Sequence, residues 1–228
     1  GEVLAYAGNA TYPADERQGN QVDIITSPRS TGSILKPFLY AGMLHDGLLL
    51  PSMLVSDVPL NINGFSPHNY NKTFYGAVPA HVAIERSLNV PLVRMLSQYN
   101  TGRFMSLLKS WGMTTLRFSE EHYGASLILG GAEGTLWDLS GMYASMSRVL
   151  KHYRTYNGRY NPADIHPLTP FPAERKEPIR SLTDSRLTDK ALLSSAVLWY
   201  TFEAMSALNR PEEEADWQQF ESMKRIAW

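Results

Sequence analysis

The chain has 228 residues, no cysteine and a formal net charge of −1. That length suits one large domain, or a piece of a larger protein, with room for a substantial core. The near-zero charge points away from nucleic acid or an anionic membrane as partner, and the lack of cysteine excludes disulfides and a thiol nucleophile. Aromatic residues make up 11% of the chain, which suits a cored enzyme rather than a disordered segment. The longest apolar runs, such as residues 47–51, are far too short to span a bilayer. Gly1-Glu2-Val3-Leu4 carries no signal sequence and reads as the interior of something already started.

Taken in order, residues 2–7 alternate loosely and stop at Gly8-Asn9, which predicts a strand and a turn. Residues 22–26 predict a second short strand. Ser27-Pro28-Arg29 and Thr31-Gly32 then break the chain before a helix of about a dozen residues. Its apolar positions are Ile34, Leu35, Phe38, Leu39 and Met43. Pro37 is tolerable only in a first turn, so the helix is expected to start at or just before Ser33.

Residues 48–75 read as irregular, punctuated by Pro51, Pro59, Asn63-Gly64 and Pro67. Residues 79–86 predict a short helix, broken at Ser87-Leu88-Asn89, with Pro91 early in the next one. Thr101 is expected to cap a helix with the stripe Phe104, Leu107, Leu108 and Trp111, ended by Gly112. Thr135 with Asp138 resembles a capping box ahead of a helix to about Leu150. Residues 153–160, folded at Asn157-Gly158, predict a hairpin, and residues 162–178 a proline-rich connection. Thr188 is expected to open a helix to about Leu208, and residues 223–228 to begin a strand. The whole reads as α+β, mostly helical, with strands at both ends and no clear linker.

A Ser-x-x-Lys match alone says little, since about one is expected by chance at this length and average composition. The chain supplies its own control, for it holds two. Ser106-Leu107-Leu108-Lys109 falls in the middle of a predicted helix, on the face opposite Phe104, Leu107 and Trp111, and reads as solvated surface. Ser33-Ile34-Leu35-Lys36 follows a glycine where a helix begins, so free N–H groups and the helix dipole favour negative charge developing on oxygen. Lys36 lies one turn on, within reach of the hydroxyl, and could act as a base if burial lowers its pKa. The competing reading of Ser33 is a plain helix cap. Ser87-Leu88-Asn89 occurs once as Ser-x-Asn, in a break between helices that can aim two polar side chains into a cleft with Leu88 packed behind. Its competing reading is helix punctuation.

The six histidines contain no His-x-x-x-His pair, so no metal site is expected. Asp57 and Glu85 have no obvious paired carboxylate. Gly130-Gly131 with Gly134 lacks the setting of a nucleotide loop, and no cofactor is expected.

At this point the chain resembles a known family. Arg29-Ser30-Thr31-Gly32-Ser33-Ile34-Leu35-Lys36-Pro37-Phe38 is similar to the nucleophile motif of penicillin-binding proteins. Asn69-Tyr70-Asn71, Phe74-Tyr75-Gly76 and Ser87-Leu88-Asn89-Val90-Pro91 resemble the approach to their second motif. Residues 127–139 resemble the segment after it, and residues 1–6 the strand that opens their transpeptidase domain. The likeness covers residues 1 to about 150 and is nearest to class A bifunctional enzymes of the 1C subgroup.

The resemblance implies a serine β-lactamase/D,D-peptidase-like α+β fold, with a helical lobe and an antiparallel sheet, over a single transpeptidase domain of residues 1–228. It implies that Ser33 attacks the penultimate D-Ala carbonyl of a peptidoglycan stem peptide and that Lys36 takes its proton. Ser87 would relay a proton to the leaving D-Ala amine, and Asn89 would hold Lys36 and the substrate amide. β-Lactam antibiotics would acylate the same serine. The implied setting is the periplasmic side of a bacterial cytoplasmic membrane, in a membrane-anchored parent fused to a glycosyltransferase domain, with the anchor outside this chain.

Two departures stand out. Thr31 occupies a position where the family often has proline, and no Lys-Thr-Gly or Lys-Ser-Gly triplet occurs in the chain. In the family that triplet follows a segment much like Arg225-Ile226-Ala227-Trp228 and supplies a substrate-binding cation and an oxyanion N–H. Losing one such donor costs about a hundred- to a thousand-fold in rate, so the domain is expected to be C-terminally incomplete with little turnover. The alternatives are a serine β-lactamase-like hydrolase, which needs a deacylating base, and a non-catalytic β-lactam-sensing or partner-binding module.

Overall fold

The computed structural model describes residues 1–9, 22–62, 64–170, 179 and 181–207. These fall into two compact units. One comprises residues 1–30, 106–117 and 133–192, and the other residues 31–105, 118–132 and 193 onward.

The second unit is built around α1 (Lys36–His45). Every side chain from Lys36 to Met43 is buried, so the helix is enclosed all round rather than amphipathic. It packs against α2 (Ala80–Glu85), α3 (Asn89–Tyr99) and α7 (Ser195–Ser206). Phe38, Leu39, Leu92, Val93, Leu96 and Leu198, each at most 1% exposed, belong to this core. A two-stranded antiparallel ribbon, β2 (Leu54–Asp57) with β3 (Gly76–Pro79), pairs Asp57 with Gly76 and carries α3 on β2. The segment 48–75 is therefore less irregular than its prolines suggest. A short α5 (Glu120–Tyr123) and a 3-10 turn (Gly124–Leu129) complete this unit, the latter packing on α3.

The predicted start of α1 is three residues early. Residues 32–35 form successive tight turns, with Ile34 N–H bonding the Thr31 carbonyl and Lys36 N–H the Ser33 carbonyl. Pro37 has no N–H to donate to Ser33, so the first i to i−4 bond that would carry the helix back to Ser33 cannot form. α4 (Thr101–Ser110) is present, but its cap is Asn100, whose Oδ1 accepts from Arg103 N–H. In its Ser-x-x-Lys match both Ser106 and Lys109 are exposed.

In the first unit, β1 (Arg29–Ser30) pairs antiparallel with β4 (Glu133–Gly134). α6 (Leu136–Thr155) follows Thr135, whose hydroxyl accepts from Asp138 N–H as expected of a cap. The box is not closed, because the Asp138 carboxylate accepts from the backbone and hydroxyl of Thr114 instead.

Three predicted elements of this unit fail. Residues 2–7 contribute one parallel bridge, Glu2 to Thr169, and no strand. Residues 24–26 are a turn, because the Asp23 carboxylate accepts from Ile25 N–H and Thr26 Oγ1 and so holds the backbone locally. No hairpin folds at Asn157-Gly158. α6 continues to Thr155, these two residues take positive φ to end it, and Tyr160 bridges to Thr188 instead. That bridge occupies the predicted start of the last helix, which begins at Ser195 in the second unit. The predicted strand at residues 223–228 and much of the proline-rich connection lie outside the described residues. Among the described residues no helix is long and apolar enough to cross a membrane.

Candidate active site

Three of the four singled-out residues meet in the second unit. Lys36, at the start of α1 and 2% exposed, sends its Nζ toward the turn between α2 and α3. There it donates to the Ser87 carbonyl at 2.7 Å, to Asn89 Oδ1 at 2.8 Å and to Ser87 Oγ at 3.2 Å. An ammonium has three N–H bonds, and each has an acceptor. All three acceptors are neutral. With no carboxylate beside it, the amine feels chiefly the cost of leaving water, and burial lowers its pKa from 10.5 to about 7.

The receiving turn has a definite local cause. Ser87 N–H bonds the Ile84 carbonyl and Leu88 N–H the Ala83 carbonyl, the paired bonds of a Schellman ending to α2. Such an ending needs a left-handed residue, and Ser87 supplies it with a φ of 50°. α1 ends in the same bond pattern with Gly47 at the matching position, φ 69°. At Ser87 the chain accepts the steric cost of a side chain where glycine is the ordinary choice, about 1–2 kcal/mol. What it gains is a carbonyl and a hydroxyl turned together onto Lys36. Leu88, 5% exposed, packs behind them, and Asn89 opens α3.

Ser33 sits half-buried in the tight turns that lead into α1. Gly32 before it has φ 51°, a conformation open to glycine at no steric cost. The turn is pinned from one side by Thr31, whose N–H and hydroxyl both donate to the Ala132 carbonyl at 3.0 and 3.1 Å. Thr31, noted above as a departure from proline, thus uses both groups that proline would lack. The Nζ hydrogen bonds of Lys36 all go to Ser87 and Asn89 and none to the Ser33 side chain.

A further layer escaped sequence reasoning. The Asn69 Oδ1 accepts from the N–H groups of Asn89 and Val90 at 3.0 and 3.2 Å, and its Nδ2 donates to the Asp57 carboxylate and the Thr73 carbonyl. Asn89 Nδ2 donates to the His68 carbonyl at 2.8 Å. Asp57 is paired not with a carboxylate but with an amide. Among the described residues no group of His, Asp and Glu side chains could hold a metal ion.

A buried amine, one hydroxyl and a positioning amide meet on one helix and one turn, an arrangement suited to moving a proton. Residues 1–136 match the family model "Penicillin binding protein transpeptidase domain". Penicillin-binding protein 1C of Escherichia coli is 36% identical over 146 residues, covering 64% of this chain and 19% of that protein. Penicillin-binding protein 1A of Pseudomonas aeruginosa is 29% identical over 150 residues, covering 63% and 17%. The chain thus matches less than a fifth of the length of either relative. Among solved structures, the penicillin-binding protein PonA1 from Mycobacterium tuberculosis superposes with a TM-score of 0.59 at 20% identity, over 86% of this chain and 51% of that one. A peptidoglycan glycosyltransferase from Burkholderia ambifaria does so at 0.60 and 14%, over 84% and 59%. The fold is therefore the α+β fold of these proteins, and the chain belongs to the penicillin-binding protein transpeptidase domain family, its identity to the Escherichia coli protein supporting the 1C subgroup.

Proposed function

We propose that residues 1–228 serve a single D,D-transpeptidase domain that cross-links peptidoglycan stem peptides through an acyl-enzyme on Ser33. The observation that carries this reading is Lys36, an amine held by neutral acceptors with its pKa lowered to about 7. A base poised near the working pH is half deprotonated there and still basic enough to accept a proton.

In the first step the Ser33 Oγ–H bond breaks, its proton passes to neutral Lys36, and Oγ bonds to the penultimate D-Ala carbonyl carbon. The carbonyl oxygen takes up the electron pair as an oxyanion. Collapse of the tetrahedral species breaks the C–N bond. The departing D-Ala amine takes a proton from Lys36 through the Ser87 hydroxyl, which lies 3.2 Å from Nζ. Asn89 keeps Lys36 on that path and offers its amide to the peptide. In the second step an amine on a neighbouring stem peptide attacks the ester, and Ser33 recovers its proton. A β-lactam follows the first step, but its leaving amine stays tethered and blocks the second. One structural neighbour, PonA1, is described in complex with penicillin V, which supports β-lactams as ligands here. The proposed setting is the periplasmic side of the bacterial cytoplasmic membrane, within a membrane-anchored protein that also carries a glycosyltransferase domain.

Incubation of that membrane-anchored protein with penicillin, followed by intact mass and peptide mapping, tests the reading. The expected result is one adduct on Ser33, absent from Ser33→Ala and persistent over hours. Rapid loss of the adduct with turnover of penicillin would support a β-lactamase instead. Binding that survives Ser33→Ala would point to a non-catalytic module.

A further inference from the structure

We infer that Asp57 and Asn69 act as a positioning pair, fixing the amide orientation of Asn69 and through it the first turn of α3 that aims Asn89 at Lys36. The inference rests on the transpeptidase reading for its catalytic meaning but on geometry alone for its structural content.

Asp57 closes β2 and is 0% exposed, and Asn69 is 2% exposed. Asp57 has no ion-pair partner among the described residues. Its carboxylate accepts instead from Asn69 Nδ2, at 2.9 and 3.0 Å, and from Tyr75 N–H at 3.0 Å. A carboxylate only accepts, so the nitrogen end of the Asn69 amide must face it. The second N–H of that amide goes to the Thr73 carbonyl at 2.9 Å.

This leaves Oδ1 at the other end, where Asn89 and Val90 present two of the N–H groups that a helix start cannot satisfy internally. Leu88, the residue at the cap position, has no side-chain oxygen to do so. The cap of α3 is thus delivered from about twenty residues upstream. Turning the Asn69 amide over would set N–H against N–H at the helix and oxygen against oxygen at Asp57. Both ends oppose it, so the buried charge selects one orientation. The same segment also holds the Asn89 side chain, because the His68 carbonyl takes Nδ2 and leaves Oδ1 for Lys36. Backbone and side chain of Asn89 are both fixed by residues 68–69, and residue 69 by Asp57.

The test compares Asp57→Asn with the exchanged pair Asp57→Asn/Asn69→Asp. The single variant offers Asn69 a donor as well as an acceptor and frees its amide to turn. In the exchanged pair a carboxylate at 69 can accept from the residue 57 amide and from both α3 N–H groups. Amide hydrogen exchange at Asn89 and Val90 reads the positioning directly, and the penicillin adduct rate reads its consequence. The single variant is expected to lose protection at these two amides, keep it in α1, and label about a hundred-fold more slowly. The exchanged pair, in which only the Thr73 carbonyl loses its donor, is expected to recover most of both. Wild-type protection and labelling in Asp57→Asn would overturn the inference, as would an exchanged pair that recovers neither or fails to fold. Should the unmutated membrane-anchored protein form no adduct, the transpeptidase reading falls, while exchange at Asn89 and Val90 still decides the positioning pair.

Discussion

Two stretches of this molecule carry the same four-residue pattern and differ in everything around it. Ser33 to Lys36 lies where tight turns feed an enclosed helix, and its lysine is 2% exposed. Ser106 to Lys109 lies along a helix whose serine and lysine both face solvent. Spacing is therefore the least informative part of the motif. What would make a lysine a base is the withdrawal of water without the arrival of a carboxylate, and of these two only Lys36 meets that condition.

The largest expected effect separates the two directly. Ser33→Ala should abolish the penicillin adduct, whereas Ser106→Ala should leave its rate and stoichiometry unchanged. Labelling that moved with Ser106 would break the comparison.

Next comes the amine. Lys36→Met should slow adduct formation by about a hundred- to ten-thousand-fold, as for loss of a general base, while Lys109→Met should not change it. Stability adds a sign. The folded pKa of Lys36 lies below its unfolded value of 10.5, so between pH 7 and 10.5 the unfolded chain binds more protons. The chain should therefore gain stability as pH rises through that window, by up to about 5 kcal/mol if no other group opposed it. Below pH 7 that contribution is absent. Denaturation curves of Lys36→Met should lack this rise and those of Lys109→Met should keep it.

A smaller effect follows from the strained turn. Ser87→Gly removes the side chain from a left-handed position but adds freedom to the unfolded chain, so the net gain should stay within about 1 kcal/mol. Adduct formation should fall at the same time, since Lys36 loses its hydroxyl partner. A variant less stable than the parent would show that Ser87 is held there for packing. The smallest effect concerns the solvated copy. Asn100→Ala should cost about 1 kcal/mol through the lost cap of α4 without touching the adduct rate.

How much the residues reveal depends on how local the determining interactions are. α2, the Thr135 cap and the break at residues 87–89 were legible because proline, threonine and asparagine act on their immediate neighbours. The start of α1 is hard to read even with Pro37 in view, because the same ring that marks a first turn also denies Ser33 a helical bond. The hairpin at residues 153–160 failed because Asn157-Gly158 serves a helix ending as well as a reverse turn. For the site, Lys36, Ser87 and Asn89 could be named, yet nothing in their spacing shows that Nζ bonds across to the turn rather than back to Ser33. Asp57 stayed hidden for a related reason. Its partner is twelve residues away and uncharged, and an Asp–Asn contact leaves no pattern in a single chain.

The three acceptors of Lys36 have a mechanical consequence. As an ammonium, this side chain ties α1 to the α2–α3 turn by three strands of a single knot. Once it surrenders a proton it keeps only two N–H groups for three acceptors, and one strand must slip. The acceptor held at 3.2 Å, the Ser87 hydroxyl, is the first to be released, and it can then turn its own hydrogen toward the lone pair just exposed. Deprotonation thus changes the direction of one bond while leaving the turn tethered by the other two. The proton count on a single nitrogen sets which way that hydrogen bond points.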